Sequence, residues 1–135
     1  MRFDLPESIT AMREGRKTQT RRRSTFWLKK EPGSHITIVH RGELLGMARV
    51  VATRRQCLAD VRESEAQAEG YDCRACFFEA LYKLYPGWDS WADIRDEEVT
   101  VVEFTDITWL RPKDEEADPE DCALSASERE HGFYP

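Results

Sequence analysis

The chain has no long apolar run, no export signal and few cysteines, and each absence removes a class of protein. No hydrophobic segment approaches the ~20 residues that a membrane-spanning helix needs, so no membrane partner is expected. The opening residues, Met1-Arg2-Phe3-Asp4-Leu5-Pro6, lack the apolar stretch of a secretory signal, which makes a cytoplasmic setting the expectation. Four unevenly spaced cysteines (Cys57, Cys73, Cys76 and Cys122) do not form a disulfide framework. Cys73-Arg74-Ala75-Cys76 matches C-x-x-C, but a zinc site needs two further ligands, and His35, His40 and His131 are scattered. Ordinary helix thiols are therefore expected, with no metal and no cofactor. The compositional signature of disorder is absent as well.

What is present suits one domain. At 135 residues the length falls in the single-domain range of about 100–200. A chain of this size buries roughly two-thirds of its unfolded surface, and six Phe, four Trp and four Tyr are available to fill a core. The formal net charge of -6 hides a split. Residues 1–60 carry 13 Lys/Arg against 6 Asp/Glu, whereas residues 61–135 carry 7 against 20. Such asymmetry points to nucleic-acid contact or to an acidic tail.

Local signals divide the chain into elements. Asp4-Leu5-Pro6-Glu7 has the form of a helix start with Asp4 as N-cap, Leu5, Ile9 and Met12 recur at helical spacing, and Gly15 stops the helix. Phe26-Trp27-Leu28 is expected as a short strand. After the turn at Pro32-Gly33, strands are expected over 35–40 and 44–53, joined at Arg41-Gly42. Gly46 inside the second implies a bulge or a close backbone approach. Asp60 and Glu63 have capping-box spacing before a helix ending at Gly70, and a further helix is expected over 74–85. Residues 99–107 form a late strand whose apolar phase shifts at Val101-Val102, implying a bulge or burial on both faces. Lys113 to Asp121 holds six acids and one base, the mark of a solvated tail, with a short helix expected at Ser125-x-x-Glu128. The order implies an α+β domain around a curved sheet or small barrel, residues 1–110, followed by an acidic tail, 111–135.

The densest chemistry lies in Lys17-Thr18-Gln19-Thr20-Arg21-Arg22-Arg23. Read plainly, this is a solvated basic loop. Read as a binding site, it contacts phosphates. Read as a catalytic site, it lowers the pKa of Lys17 through burial or neighbouring cations and makes it a base, with a threonine hydroxyl as nucleophile or orienting group. Of the aromatics, Phe26-Trp27 is the stacking candidate beside this motif, while Trp88 and Trp91 are expected to fill the core or pack a loop.

Gly15-Arg16-Lys17-Thr18-Gln19-Thr20-Arg21-Arg22 resembles the G-x-K-T-x-T-x-R signature of ASCH domains, a branch of the PUA-like superfamily. Lys30-Glu31-Pro32-Gly33 resembles the turn before that family's first barrel strand. Ala68-Glu69-Gly70-Tyr71 resembles its Glu-Gly element, and 99–107 its closing strand. The resemblance spans roughly residues 3–108. It implies a small PUA-like β-barrel with helices packed around a cleft. It also implies one of two functions. The first is an amidohydrolase removing the acyl group from N4-acetylcytidine or related N4-acylated cytosine nucleosides, with catalytic Lys17, Thr20 and Glu69. The second is an RNA-binding module without that activity.

Glu63 and Glu65 are alternatives to Glu69. In the enzyme, Thr20 attacks the acyl carbonyl with Lys17 as base, or Glu69 activates a water while Lys17 and Thr20 hold the carbonyl oxygen. Arg22, with Arg21, Phe26 and Trp27, is expected to bind substrate, its forked donors suiting a carbonyl oxygen or a phosphate. The expected partner is thus a modified pyrimidine nucleoside or RNA, with no obligate protein partner. Lys17 and Glu69, one from each half of the chain, are expected to meet in one cleft.

Overall fold

The computed structural model describes residues 1–110. The acidic tail, the helix expected at Ser125-x-x-Glu128, His131 and Cys122 lie outside the described residues. The elements run α1 (Pro6–Arg13), β1 (Gln19–Arg22), β2 (His35–His40), β3 (Glu43–Cys57), α2 (Glu63–Ala68), α3 (Arg74–Leu84), α4 (Trp91–Ile94) and β4 (Glu98–Trp109). The strands form one antiparallel sheet in the order β1-β4-β3-β2. The sheet curls into a half-barrel, giving a small α+β fold. Among the described residues no helix is long and apolar enough to cross a membrane.

The hairpin between β2 and β3 turns at Arg41 and Gly42, both at positive φ (49° and 80°). That is the two-residue turn whose twist matches the strands it joins. Gly46 is a close approach: a Cβ there would run into the Thr108 carbonyl oxygen of β4. The edges of the curled sheet, β1 and β2, are linked through the first residues of the chain. Phe3 N donates to the Val39 carbonyl at 2.7 Å, Val39 N donates to the Met1 carbonyl at 2.9 Å, and the Arg22 guanidinium of β1 donates to the Arg2 carbonyl at 2.7 Å.

β4 separates two cores. Val102 and Phe104 face the barrel core with Phe3, Met12, Trp27, Ile38 and Val50. Val99 faces a second core of Leu58, Phe77, Leu81, Trp88 and Ile94 under the helices. Residues 99–102 are consecutively buried because β4 is covered on both sides, not because it bulges there. The register shifts lie further on. Val51 is unmatched where Val50 pairs with Phe104 and Ala52 with Glu103, and β4 carries an extra residue around Asp106, which sits at φ 50°.

Four local expectations are corrected. Thr25–Lys29, expected as a strand at 26–28, is a 3-10 helix capped by the Ser24 hydroxyl, which accepts from Phe26 N at 3.0 Å. The N-cap of α1 is Leu5 rather than Asp4, since Pro6 takes the first helical position, where its missing N–H costs nothing. The helix expected from Asp60 begins instead at Glu63. Glu65, not Glu63, closes its first turn by accepting from Arg62 N. The basic motif, read plainly as a solvated loop, contributes a strand, β1, hydrogen-bonded to the centre of the sheet.

Candidate functional site

The site is assembled where the end of α1 meets the end of α2. Gly15, at φ 77°, ends α1, and the N–H groups of Arg16 and Lys17 both return to the Ala11 carbonyl (2.9 and 3.2 Å). Thr18 N then donates to the Ala68 carbonyl of α2 at 2.7 Å, and the Thr18 carbonyl accepts from Phe104 N of β4 at 3.0 Å. Lys17 is thereby held against the C-terminus of α2, where carbonyls lack helical partners and a cation is favoured. Its Nζ donates to the Glu69 carbonyl at 3.1 Å and to Glu69 Oε1 at 2.9 Å. Both side chains are fully buried.

Gly70 makes this approach possible. It sits at φ 99°, and a Cβ there would come within 2.7 Å of Ala11 Cβ and 3.4 Å of Lys17 Cβ. Gly70→Ala is expected to cost about 2 kcal/mol or more, combining left-handed strain with a clash against α1. Gly33→Ala is the control, because Gly33 shares a positive φ (89°) but has nothing within 4 Å of the added carbon. Urea unfolding of the two variants checks this, with the larger loss expected at Gly70.

A chain of ion pairs extends from Glu69. Glu69 Oε2 accepts from Arg21 at 2.9 Å, and the other end of that guanidinium donates to Glu65 Oε2 at 2.7 Å. Glu65 and Glu69 are four residues apart around the end of α2, so they share a face and straddle Arg21. Gln56 of β3 accepts from Arg21 Nε at 3.0 Å, and Gln19 accepts from the same guanidinium at 3.0 Å. Arg54 continues the chain, bonding Glu65 and Glu103 at 2.8 Å each.

Electrostatics follow from this packing. Burial pushes the Lys17 ammonium below its ordinary pKa. Glu69 pulls it back up by charge and hydrogen bond, Arg22 and Arg21 push it down again, and the net direction is down. Burial alone would raise the Glu65 carboxyl, but the Gln56 bond, the Arg62 N–H and the charges of Arg21 and Arg54 hold it below the usual range. Tyr71, just past Gly70, is pushed up by burial first and then by Glu7 and Glu69, so its phenol stays protonated.

The expected site residues separate into groups. Lys17, Glu69 and Arg21 come together directly. Thr20 is fully buried opposite Val102. By the alternation of strand side chains it shares a face with Arg22 rather than with Arg21. Arg22 lies buried over the Phe3 ring at 4.6 Å, and Lys17 Nζ is 6.0 Å from the same ring. Thr20 and Arg22 thus belong to the side of β1 that faces the start of the chain, while Lys17, which precedes β1, meets Arg21 through Glu69. Trp27 is 2% exposed in the barrel core, so it offers no surface for stacking. Phe26 packs edge-on against it at 4.9 Å, with Lys29 over its ring at 4.1 Å. Trp88 is buried in the second core, whereas Trp91 is 38% exposed and stands edge-on to Phe78. Glu63 is engaged elsewhere, accepting from Arg74 N at 3.2 Å.

Sequence reasoning missed Gln56, Arg54, Gln19 and Glu103 as partners. The four-residue spacing of Glu65 and Glu69 was the available signal for the shared face. The strand residues carried none until β1 was recognised as a strand. A cleft of about 280 Å³ adjoins the site, lined by Met12, Lys17, Thr18, Phe104 and Trp109 among others, with Arg13 stacked over the Trp109 ring at 4.1 Å.

The chain matches no family model, and no significant match to it is found among curated proteins or solved structures.

Proposed function

We propose that this chain is an ASCH-like amidohydrolase with a PUA-like barrel, which removes the acyl group from N4-acetylcytidine or a related N4-acylated cytosine nucleoside. The observation that carries the reading is the fully buried pair of Lys17 and Glu69, 52 residues apart in sequence and 2.9 Å apart in space. A lysine with a lowered pKa becomes a neutral amine, and so a base, at lower pH than an ordinary one, and a carboxylate beside it orients it. Both carboxylate oxygens of Glu69 already accept charged donors, from Lys17 and Arg21. This favours Glu69 as the group that orients Lys17 over Glu69 as the base that activates water.

In the favoured sequence Lys17 takes the Thr20 hydroxyl proton as Thr20 Oγ attacks the acyl carbon. The tetrahedral adduct collapses, the C–N4 bond breaks, and the Lys17 ammonium returns the proton to the leaving amine. Water, deprotonated in turn by Lys17, then releases the acid from the threonine ester. Because Thr20 is buried, turnover includes a step that uncovers it. Arg21, held between the Glu65 and Glu69 carboxylates, acts in this scheme as a positioning residue that fixes Glu69, not as a substrate ligand.

The RNA-binding alternative is less well supported. Of the basic motif, Arg21 is committed to two carboxylates and Arg22 is buried against Phe3, so neither is an open phosphate contact. Incubation with N4-acetylcytidine, following cytidine and acetate, tests the reading. Stoichiometric release of both is expected. No release with any of several acyl groups would remove it, and steeply salt-dependent RNA binding in its place would install the alternative.

A further inference from the structure

The C-x-x-C pair, expected as ordinary helix thiols, has a specific arrangement. Cys73 is the N-cap of α3, an eleven-residue helix, and its Sγ accepts the backbone N–H of Cys76 at 3.2 Å. The Cys76 thiol lies close enough to hydrogen-bond the Cys73 sulfur, and that bond is the largest cause holding Cys76 above its ordinary pKa. Both residues are partly exposed and neither is in a disulfide. The intervening Arg74 points away, donating to the Val61 carbonyl at 2.6 Å and stacking over Phe78 and Trp91. The carboxylates near the pair are Asp72, beside it in sequence, and Glu63, which accepts from Arg74 N. The third described cysteine, Cys57, differs: its thiol donates to the Arg95 carbonyl at 3.0 Å and no second sulfur is near it in sequence.

Two independent features therefore meet on Cys73. A helix N-terminus and a backbone donor face its sulfur, where negative charge develops during exchange. A second thiol follows three residues on, one helical turn away, and its own backbone N–H is on the Cys73 sulfur. From this we propose that Cys73 and Cys76 form a thiol–disulfide exchange site, with Cys73 attacking and Cys76 resolving, whose substrates are low-molecular-weight or protein disulfides.

The chemistry balances with a disulfide R–S–S–R as oxidant. The Cys73 thiolate, its proton lost to solvent, attacks one sulfur, forming Cys73–S–S–R and releasing RS⁻. The Cys76 thiol gives its proton to that RS⁻ and attacks Cys73 Sγ, closing the Cys73–Cys76 disulfide and expelling the second RS⁻, which takes up the solvent proton. One disulfide is reduced to two thiols and one dithiol is oxidised. The site shares no residue with the Lys17–Glu69 network and stands whether or not the amidohydrolase reading holds.

The test uses the full reduced chain in glutathione buffers of graded oxidised-to-reduced ratio, with every cysteine mapped by alkylation and mass spectrometry. The expected result is a Cys73–Cys76 disulfide appearing in one two-electron transition. Cys76→Ser should trap glutathione on Cys73. In Cys73→Ser, glutathione should react with Cys76 about tenfold more slowly than it reacts with Cys73 in the Cys76→Ser protein. Serine is itself a favoured N-cap, so Cys73→Ser keeps the start of α3. Two results would overturn the proposal: no Cys73–Cys76 disulfide in the most oxidising buffer, or glutathione spread evenly over Cys57, Cys73 and Cys76.

Discussion

Lys17→Arg should abolish release of cytidine from N4-acetylcytidine while the protein stays folded. An arginine keeps the positive charge facing Glu69 but does not lose its proton at any ordinary pH, so it cannot act as a base. Loss of a positioned base costs about 10²–10⁴ in rate. Lys17→Met, close in length but without charge, should lose as much. The pH dependence supplies a second readout. In the proposed reaction Lys17 has to work as the neutral amine, and its pKa is lowered from the ordinary lysine value, chiefly through burial. In the wild type kcat/KM should therefore rise with pH through that lowered pKa and then level off.

Stability should move in the same direction. Between the lowered native pKa and the ordinary unfolded one, the unfolded chain binds more protons than the native one, so stability rises with pH across that window. Lys17→Met should remove this rise. Circular dichroism and urea unfolding separate a chemical defect from a folding one. A Lys17→Arg protein that turns over near the wild-type rate would show that Lys17 is not the base.

Glu69→Ala should be strongly destabilising. It strips the carboxylate from two cations at once, Lys17 Nζ and the Arg21 guanidinium, all three side chains being 0–1% exposed. Removing one partner from a buried ion pair costs about 3–5 kcal/mol, because the remaining charge is left desolvated. Glu98→Ala is the comparison. Glu98 pairs with Arg55 at 3.2 Å but is 61% exposed on its side chain, and its loss should cost less than about 1 kcal/mol. Glu69→Gln keeps an acceptor for one cation and should fall between the two. If Glu69→Ala unfolds no more easily than Glu98→Ala in urea, the buried network is not what holds α2 to β1. The Gln variant also separates stability from chemistry, since it should lose turnover well beyond what its residual fold explains.

Much of the fold was legible because it rests on local rules. Gly15 and Gly70 stop helices because their positive φ suits glycine, and Arg41-Gly42 turns the β2–β3 hairpin for the same reason. The β-branched run from His35 to His40 forms the strand its composition implies. The errors share a different cause. Phe26-Trp27-Leu28 has strand composition, yet Ser24 caps a 3-10 turn there and Trp27 is drawn into the barrel core. The residues from Gln19 to Arg22 have loop composition, yet they form a strand because β4 lies alongside to pair with them. Composition could not show that Arg21 and Arg22 are buried, since burying arginine is tolerable only once carboxylates and carbonyls from elsewhere surround it.

The sequence alone determined several of the elements: a helix stopped at Gly15, a hairpin, two further helices and a long closing strand, with Lys17, Thr20 and Glu69 marked as candidates by resemblance. Periodicity, capping and turn chemistry act over a few residues, so they are written in the chain. The tertiary structure decided which of those residues meet. It set Lys17 on the C-terminus of α2, locked Arg21 between Glu65 and Glu69, and turned a basic stretch into the buried centre of an ion-pair network. Those outcomes depend on desolvation and on partners about 50 residues away, and neither exists until α1, α2 and the sheet have packed together.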